Sequence, residues 1–325
     1  MPEFPFAVEW IIPEKFLKAL KNSTKNEFLK SNVFTAFKFS PIPYHFEFFP
    51  NGNNNKNRER VWIFLQIPFE FQKNVHAEYT FTIKSANWSK KINYIFEGDF
   101  DGYGSRICKT HEFFKSSKKF IVDGKCTVKI EGVFKIENVQ PFWDFPNRDL
   151  WNQKMEDFKF QIGESEIHAH ESIFASESPI FAAMFEQLKD ENEKIIEIPD
   201  FSFEIVEKAV KLCYYQKINI LDISNDDEIL VLLQFATKYD FTVLKNNLEL
   251  HIGCNLTVSN VSEMVTVAKK LKSEILKNKC FDFLIDLISK KKFIPKFTKL
   301  DKEFTNELFQ TFLCVESETY LSTEN

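Results

Sequence analysis

The chain has 325 residues, of which 44% are apolar and 27% are charged, with a formal net charge of -5. This length suits two or three domains, and the composition excludes a disordered chain and a small disulfide-stapled module. The six cysteines form no C-x-x-C pair, which excludes the common zinc and redox motifs and predicts reduced thiols. The sequence begins without a signal-peptide pattern, and no apolar run approaches the roughly 18 residues of a membrane span. We therefore expect an intracellular protein of the cytoplasm, the nucleus or both.

The charge is distributed unevenly along the chain. Residues 1–150 carry 22 basic and 17 acidic side chains, whereas residues 151–325 carry 20 and 30. Neither half is basic enough to indicate nucleic-acid binding, and only four arginines are present. Arginine is the residue that bidentate guanine recognition favours. We therefore expect neither a nucleic acid nor a membrane as a partner.

The first half has the pattern of a strand-rich domain. Nine of the twelve prolines and six of the eight glycines lie in residues 1–150, so turns are frequent there. Apolar and polar residues alternate over 79–84 and 126–136, which predicts strands with one buried face. Residues 61–67 are mostly apolar on both faces, as in a central strand. Asp123-Gly124 predicts a two-residue type I′ hairpin, and the whole pattern predicts an antiparallel β-sandwich.

Helical patterns dominate the second half. We predict three short strands in it, at 158–162, 166–169 and 195–198. Ser178 before Pro179 is typical of a helix N-cap followed by proline at the first helical position. From Val206 onward, apolar residues recur at helical spacing and predict several further helices. The proline- and aromatic-rich stretch at 141–147 predicts a linker between the halves.

His168 and His170 are the sharpest candidates for catalysis. Two histidines at i and i+2 of a strand point to one face and can chelate a metal. A metal hydrolase would need a third ligand and a base, and only His251 follows. We therefore favour a structural histidine at a strand-to-helix turn and keep the hydrolase as an alternative. No nucleophile-elbow or Walker sequence is present, so we predict a protein that is not an enzyme, with no catalytic residue, metal or cofactor.

Residues 157–217 resemble a BTB (POZ) domain. The resemblance rests on Asp157-Phe158, on Ile167-His168-Ala169-His170, on Ser176-Glu177-Ser178-Pro179-Ile180-Phe181-Ala182-Ala183-Met184-Phe185 and on Cys213-Tyr214-Tyr215. These segments follow the order of the family's H-x3-L-x3-S-x-x-F-x-x-M-F core and its terminal tyrosine turn, so the match is specific. Residues 256–287 resemble the helical extension, a 3-box or partial BACK region, of cullin adaptors.

Residues 4–137 are similar to a MATH (TRAF-like) domain. The fragments that carry the similarity are Val8-Glu9-Trp10-Ile11-Ile12, Phe49-Pro50-Asn51-Gly52, Val61-Trp62-Ile63-Phe64-Leu65, Ala77-Glu78-Tyr79-Thr80-Phe81 and Phe120-Ile121-Val122-Asp123-Gly124. Each fragment is short, but their order and the BTB-like region downstream reinforce one another. The chain as a whole resembles the MATH-BTB family.

The resemblance implies an α+β multidomain fold. Its parts are a MATH-type antiparallel β-sandwich at 4–140, a linker and dimerisation segment at 141–152, an α/β BTB/POZ domain at 153–250 and a helical 3-box or BACK-like extension at 251–325. The implied function is that of a substrate-recognition adaptor of a cullin-3 RING E3 ubiquitin ligase. The MATH domain would bind a short peptide degron of a protein substrate, and the BTB domain would form a homodimer and bind the cullin-3-type scaffold. The alternative is a dimeric BTB scaffold for protein interactions without a ligase role.

The resemblance also implies a substrate groove. Its residues map to Phe64, Tyr79, Tyr103 and Ser105. Ser105 stands where the family has an aromatic residue, which removes one apolar wall and implies a different degron. For Phe64 and Tyr79 the alternative is that they belong to the sandwich core, because alternating aromatic residues usually face inward.

Two further contacts follow from the BTB resemblance. The cullin contact maps to Leu188 and Asp190, where the family has glutamate in place of the aspartate. The dimer interface maps to Leu150, Trp151 and Ile173, for which the alternative is the domain's own core.

Overall fold

A computed structural model describes residues 1–67, 74–97, 101–136, 156–214 and 226–322. The chain divides into two compact units: unit 1 comprises Met1–Val139 with Phe281–Asn325, and unit 2 comprises Gln140–Cys280. Unit 1 is therefore built from both ends of the chain, and unit 2 lies between them in the sequence. Across the described ranges, no helix is both long enough and apolar enough to cross a bilayer.

Strands and helices are numbered in chain order. The strands are β1 (Glu3–Pro13), β2 (Phe28–Lys30), β3 (Phe34–Ala36), β4 (Ile42–Phe49), β5 (Arg60–Ile67), β6 (Val75–Ile83), β7 (Trp88–Phe96), β8 (Asp101–Lys109), β9 (Lys125–Ile136), β10 (Phe158–Ile162), β11 (Ser165–Ala169), β12 (Ile195–Glu197), β13 (Val315–Ser317) and β14 (Tyr320–Ser322). The helices are α1 (Glu14–Leu20), α2 (Thr110–Phe113), α3 (Glu171–Glu177), α4 (Pro179–Gln187), α5 (Phe203–Tyr214), α6 (Asp226–Lys238), α7 (Thr242–Cys254), α8 (Val261–Lys270), α9 (Glu274–Ser289) and α10 (Lys302–Gln310).

Unit 1 is a β-sandwich of two sheets. One sheet has the strand order β13-β1-β9-β6-β7, and the other has the order β14-β2-β4-β5-β8, with β3 paired to β4. Apart from the parallel pair β1 and β13, the strand pairs are antiparallel. Along β6 every second side chain is buried, because successive side chains of a strand point to opposite faces. The predicted β-rich N-terminal half is confirmed.

The predicted hairpin turn is present at Asp123 and Gly124. Their φ angles are 51° and 73°, as a type I′ turn requires at both central positions. The flanking Val122 and Lys125 exchange backbone hydrogen bonds of 2.9 and 3.1 Å. The tight turn leads directly into β9, so a local sequence signal sets where this long strand begins.

The structure of β5 differs in part from the prediction. The strand lies between β4 and β8, so it is central, but only its inward side chains are buried. Trp62, Phe64 and Gln66 lie on the outer face and are half-buried. Because aromatic residues also occur on this partly exposed face, the sequence of β5 looks like that of a strand buried on both faces.

Aromatic rings account for much of the core of unit 1. Phe6 stacks on Phe134 with ring centroids 4.5 Å apart, and Tyr44 lies 4.9 Å from Phe134. Other side chains that are fully buried there are Trp10, Phe46, Phe48, Tyr79, Phe81 and Phe113. The chain has 38 phenylalanines, and several of those in unit 1 pack between the two sheets.

The C-terminal segment closes one edge of the sandwich. β13 pairs with β1 and β14 pairs with β2, so the segment adds one strand to each sheet. The sequence indicates a helical extension over 251–325, and α8, α9 and α10 do lie there. The last described residues are strands instead, because the unpaired edges of β1 and β2 offer backbone hydrogen bonds that no local helical pattern opposes.

Unit 2 combines a small sheet with helices α3 to α8. Its strand order is β11-β10-β12, with β10 antiparallel to β11 and parallel to β12. Helix α4 begins as predicted: Pro179 is its first residue, and the Ser178 side chain accepts a hydrogen bond from the Phe181 backbone nitrogen at 3.1 Å. The rings of Phe158, Phe160, Phe174, Phe181 and Phe185 pack together between sheet and helices.

Candidate functional site

The edge of the sandwich opposite the C-terminal segment is open within the described residues. There β7 ends one sheet and β8 ends the other, so each pairs with a neighbour on one side only. We call this feature, formed by β7 and β8, the open edge. A strand with an unpaired side presents backbone N–H and C=O groups to which another extended chain can bond.

Three tyrosines connect the two sheets at the open edge. Tyr94 of β7 stacks on Tyr103 of β8, with ring centroids 3.9 Å apart and an interplanar angle of 11°. The hydroxyl of Tyr79 donates a hydrogen bond of 2.7 Å to the Tyr103 carbonyl. Tyr103 is 42% exposed, whereas Tyr79 is buried. The Tyr94–Tyr103 stack therefore offers an aromatic surface that Tyr79 supports from below.

The predicted groove residues do not share one face. Ser105 and Tyr103 lie opposite Ile63 and Leu65 of β5 and so point to the inner face, near the rim. Phe64 lies opposite Gly104 and points to the outer face, where it stacks beside Trp62 at 5.8 Å. Of the four predicted residues, Tyr103 and Ser105 lie on the open edge. Tyr79 is buried on the neighbouring strand β6, which favours its core alternative, and Phe64 lies on the outer face of β5.

Gly104 lets the backbone of β8 approach β5 closely. A Cβ atom at this position would lie 1.9 Å from the Ile63 carbonyl oxygen and 2.6 Å from the Phe64 Cα. Only glycine fits such a close approach, so Phe64 stays partly uncovered beside the strand. An extended chain next to β8 would meet tyrosines on one face and Phe64 on the other.

Sequence reasoning missed Tyr94. Tyr94 lies two residues from Ile92 and two from Phe96, both of which are buried. Residues at this spacing share a face of a strand, so the pattern places Tyr94 on the inner face of β7. Patterning alone does not show that β7 and β8 are the terminal strands of opposing sheets. That neighbourhood, which makes Tyr94 part of the open edge, is a property of the tertiary fold.

In unit 2 the predicted cullin contact lies at the end of α4. Leu188 is half-buried and follows the last residue of the helix, and Asp190 is exposed two residues later. Lys189 between them pairs with Glu186 at 3.0 Å. Both predicted residues can reach a partner, with an apolar anchor beside an acidic group.

The predicted dimer residues are placed only in part. Leu150 and Trp151 lie outside the described residues. Ile173 is buried, with 2% of its side chain exposed, and lies in α3 beside the ring cluster of unit 2. Its placement favours the alternative of a core residue for this position.

The two candidate metal-binding histidines are separated. Strand β11 ends at Ala169, so His168 is an exposed strand residue, 3.7 Å from Glu166, and His170 follows the strand and is buried. Both the backbone nitrogen and Nδ1 of His170 lie 2.8 Å from the Tyr214 hydroxyl. The prediction that both rings face one side was wrong, because β11 ends at Ala169 and His170 is the buried residue that precedes α3. In the described parts of the chain no three metal-ligating side chains converge.

The cysteines that pack inside the two units carry inert thiols. Burial raises the pKa of Cys126 and of Cys280 to about 12. At Cys108, burial raises the pKa to about 12 and the nearby Glu112 adds to the shift. A thiol with such a pKa is protonated near neutral pH and is a poor nucleophile. These groups act as small apolar side chains.

Comparison with known proteins finds a family match in the middle of the chain. The model of the BTB/POZ domain family matches residues 147–256, which include β10 to β12 and α3 to α7. Over 158 residues the chain is 30% identical to Armadillo BTB Arabidopsis protein 1 of Arabidopsis thaliana. That alignment covers 48% of this chain and 21% of the relative, so the chain spans about a fifth of the relative's length.

Proposed function

We propose, from the premise that residues 147–256 form a BTB/POZ domain, that this protein is a substrate-recognition adaptor of a cullin-3 RING E3 ubiquitin ligase. BTB domains mediate protein interaction, and this one would hold the cullin and a second copy of the chain. The observation that supports the substrate-binding half of the proposal is the open edge, where two strands of a separate compact unit each have an unpaired side. Transfer of ubiquitin would belong to other subunits.

Peptide binding at the open edge follows from strand physics. An extended degron beside β8 would alternate its side chains between the two faces of that strand. One set would contact Tyr94, Tyr103 and Ser105, and the other would lie over Gly104 beside Phe64. The small Ser105 leaves room beside the stack for a larger peptide side chain. These features support the MATH-type role proposed for unit 1.

The BTB domain would contact the cullin at the end of α4. Leu188 would supply an apolar anchor and Asp190 a negative charge, and neither is sequestered in the core. We propose that the dimer forms through the segment containing Leu150 and Trp151. Ile173 would affect the dimer only indirectly, by positioning α3, since its side chain is buried.

Binding to the purified N-terminal domain of cullin-3 tests the ligase role. We expect wild-type chain to bind with a Kd below 10 µM in calorimetry, on the order expected for a transient signalling contact. Leu188→Asp should weaken binding about tenfold or more, because a charge would occupy an apolar contact. Leu313→Asp is the matched control: Leu313 is 62% exposed in unit 1 and should leave cullin binding unchanged.

A dimeric scaffold without a ligase role is the second candidate. The observation that favours it is Asp190, whose side chain is shorter than the glutamate that the family resemblance places there. A dimer in light scattering that shows no cullin binding would support the scaffold and contradict the adaptor. A monomer at tens of micromolar would contradict both.

A further inference from the structure

One end of the open edge carries exposed cations. Lys90 and Lys91 lie on β7 and Arg106 lies on β8, and all three side chains are exposed. Four residues join the two strands, and Tyr94 stacks on Tyr103, so β7 and β8 run in opposite directions here. Arg106 therefore lies toward the same end of the two strands as the lysines, about 10 Å along the strand from Tyr103 at roughly 3.3 Å per residue. Its partner in the register is Trp62, so its side chain points to the outer face of its sheet. We call these three residues the cationic end.

Some other lysines of unit 1, but not all, have carboxylate partners. Lys135 pairs with Glu78 at 2.7 Å, and Lys129 pairs with Glu131 at 2.8 Å. None of the ion pairs found between described residues includes Lys90, Lys91 or Arg106. Lys91 does lower the pKa of Glu78, but Lys135 is the direct partner of that carboxylate and the larger cause. The cationic end thus keeps its charge available.

The opposite end of the open edge has the opposite sign. Glu97 follows the last residue of β7 and is exposed. A peptide along the open edge would meet this acidic group before the tyrosine stack and cations after it. Its orientation and register would then depend on where its own charges lie.

We propose that the open edge selects peptides that carry aspartate or glutamate about three residues from an apolar or aromatic anchor. The anchor contacts the Tyr94–Tyr103 stack, and the carboxylates lie at the cationic end. This inference rests on the proposed function, since it names the substrate class of the same edge. Because the cations are spread over two strands, a short run of carboxylates matches them better than one phosphate group does.

Charge would act here on specificity and on association. Exposed ion pairs stabilise by a few tenths to about 1 kcal/mol, so one cation is worth roughly two- to fivefold in Kd. Basic peptides would be repelled by a similar factor for each charge. Between 50 and 300 mM NaCl the affinity of an acidic peptide should fall several-fold, because exposed charges are screened.

Selection from a displayed library of random 12-residue peptides on the immobilised full-length chain tests the proposal. Tyr103→Ala serves as the counter-selection target, so only clones that need the stack are kept. We expect those clones to be enriched in aspartate and glutamate about three positions from an apolar residue. Wild-type chain should bind a selected peptide two- to fivefold more tightly than Arg106→Gln does, and about tenfold more tightly than Lys90→Gln/Arg106→Gln does. Lys15→Gln, which removes an exposed cation in α1, is the matched control and should bind as wild type.

Each result has a separate meaning. Tyr103-dependent clones without an acidic bias, or clones that bind Lys90→Gln/Arg106→Gln as tightly as wild type, would overturn the charge inference and leave peptide binding standing. A library that yields no Tyr103-dependent clone would overturn the proposed peptide site itself, and the inference with it. If replacing a glutamate of the selected peptide with phosphoserine tightened binding more than tenfold, the ligand would be a phosphopeptide and the assignment to carboxylates would be wrong. Thermal melts of all variants check that they are folded.

Discussion

At the scale of single residues, Trp10 links the beginning of the chain to its end. Its ring is fully buried, and its Nε1 donates a hydrogen bond of 3.0 Å to the Thr319 Oγ1. The same hydroxyl donates to the Ile11 carbonyl at 2.8 Å. A buried indole N–H needs a partner, and this partner lies more than three hundred residues away in the sequence. One threonine therefore satisfies two polar groups of β1.

Thr319→Val should destabilise unit 1 by about 1–3 kcal/mol, because a near-isosteric side chain removes the hydroxyl that bonds to the indole N–H and to the Ile11 carbonyl. Urea unfolding followed by tryptophan fluorescence measures the loss. Thr298→Val is the control, since Thr298 is exposed, and it should change the free energy of unfolding by less than about 0.5 kcal/mol. Equal effects of the two substitutions would contradict the role given to Thr319.

At the scale of elements, α7 carries polar groups into the interior of unit 2. Asn247 and Glu249 are both buried, and the Asn247 Nδ2 and Glu249 Oε1 have no partner within the described residues. Burial raises the pKa of Glu249, and this shift outweighs the opposing effects of Ser273 and Lys245. The apolar residues of α7 therefore stabilise its packing, whereas the buried Glu249 carboxylate destabilises it.

Glu249→Gln should stabilise the protein at pH 7, because it removes a charge that the folded state holds less well than water does. A raised pKa means that the folded state binds the proton more tightly. The penalty is therefore absent below the unfolded pKa of about 4.3, grows as pH rises toward the folded pKa and is constant above it. Denaturation at several values from pH 4 to pH 7 should show a difference from wild type that increases with pH. Glu263→Gln, at an exposed position of α8, should show no such trend.

At the scale of the whole molecule, the sandwich needs both ends of the chain. The segment from residue 281 supplies edge strands to both sheets and buries Leu300, Phe304 and Leu308. Three such side chains contribute about 5–9 kcal/mol by burial. That amount is comparable with the total stability of a typical domain, about 5–15 kcal/mol. Unit 1 is therefore not expected to fold from its N-terminal part alone.

A fragment of residues 1–136 should lack a cooperative thermal transition. The same fragment joined by a flexible linker to residues 281–322 should regain one, because it restores the missing strands and buried side chains. Circular dichroism and calorimetry distinguish the two outcomes. A sharp, two-state transition of the short fragment at the temperature of the joined one would show that the C-terminal segment is dispensable.

Local signals in the sequence were sufficient for several elements. The alternation along β6 and β9, the Asp123-Gly124 turn and the Ser178 cap were all predicted, because each depends on residues within a few positions of one another. The BTB region was also predicted, from an ordered set of short segments. The shared face assigned to His168 and His170 was wrong because the strand ends at residue 169, a boundary that periodicity does not specify.

The sequence by itself determined a strand-rich first half and a helical second half, since periodicity, turn chemistry and capping are encoded locally, and its ordered motifs indicated the region that matches the BTB/POZ family model. Only the tertiary structure decided that β13 and β14 complete the two sheets of the sandwich in unit 1 and that β7 and β8 form its open edge. It also decided that Tyr94 joins Tyr103 while Phe64 lies on the opposite face. These features depend on which strands become neighbours, and pairing between distant segments is selected by the fit of the whole core rather than by any one stretch of chain.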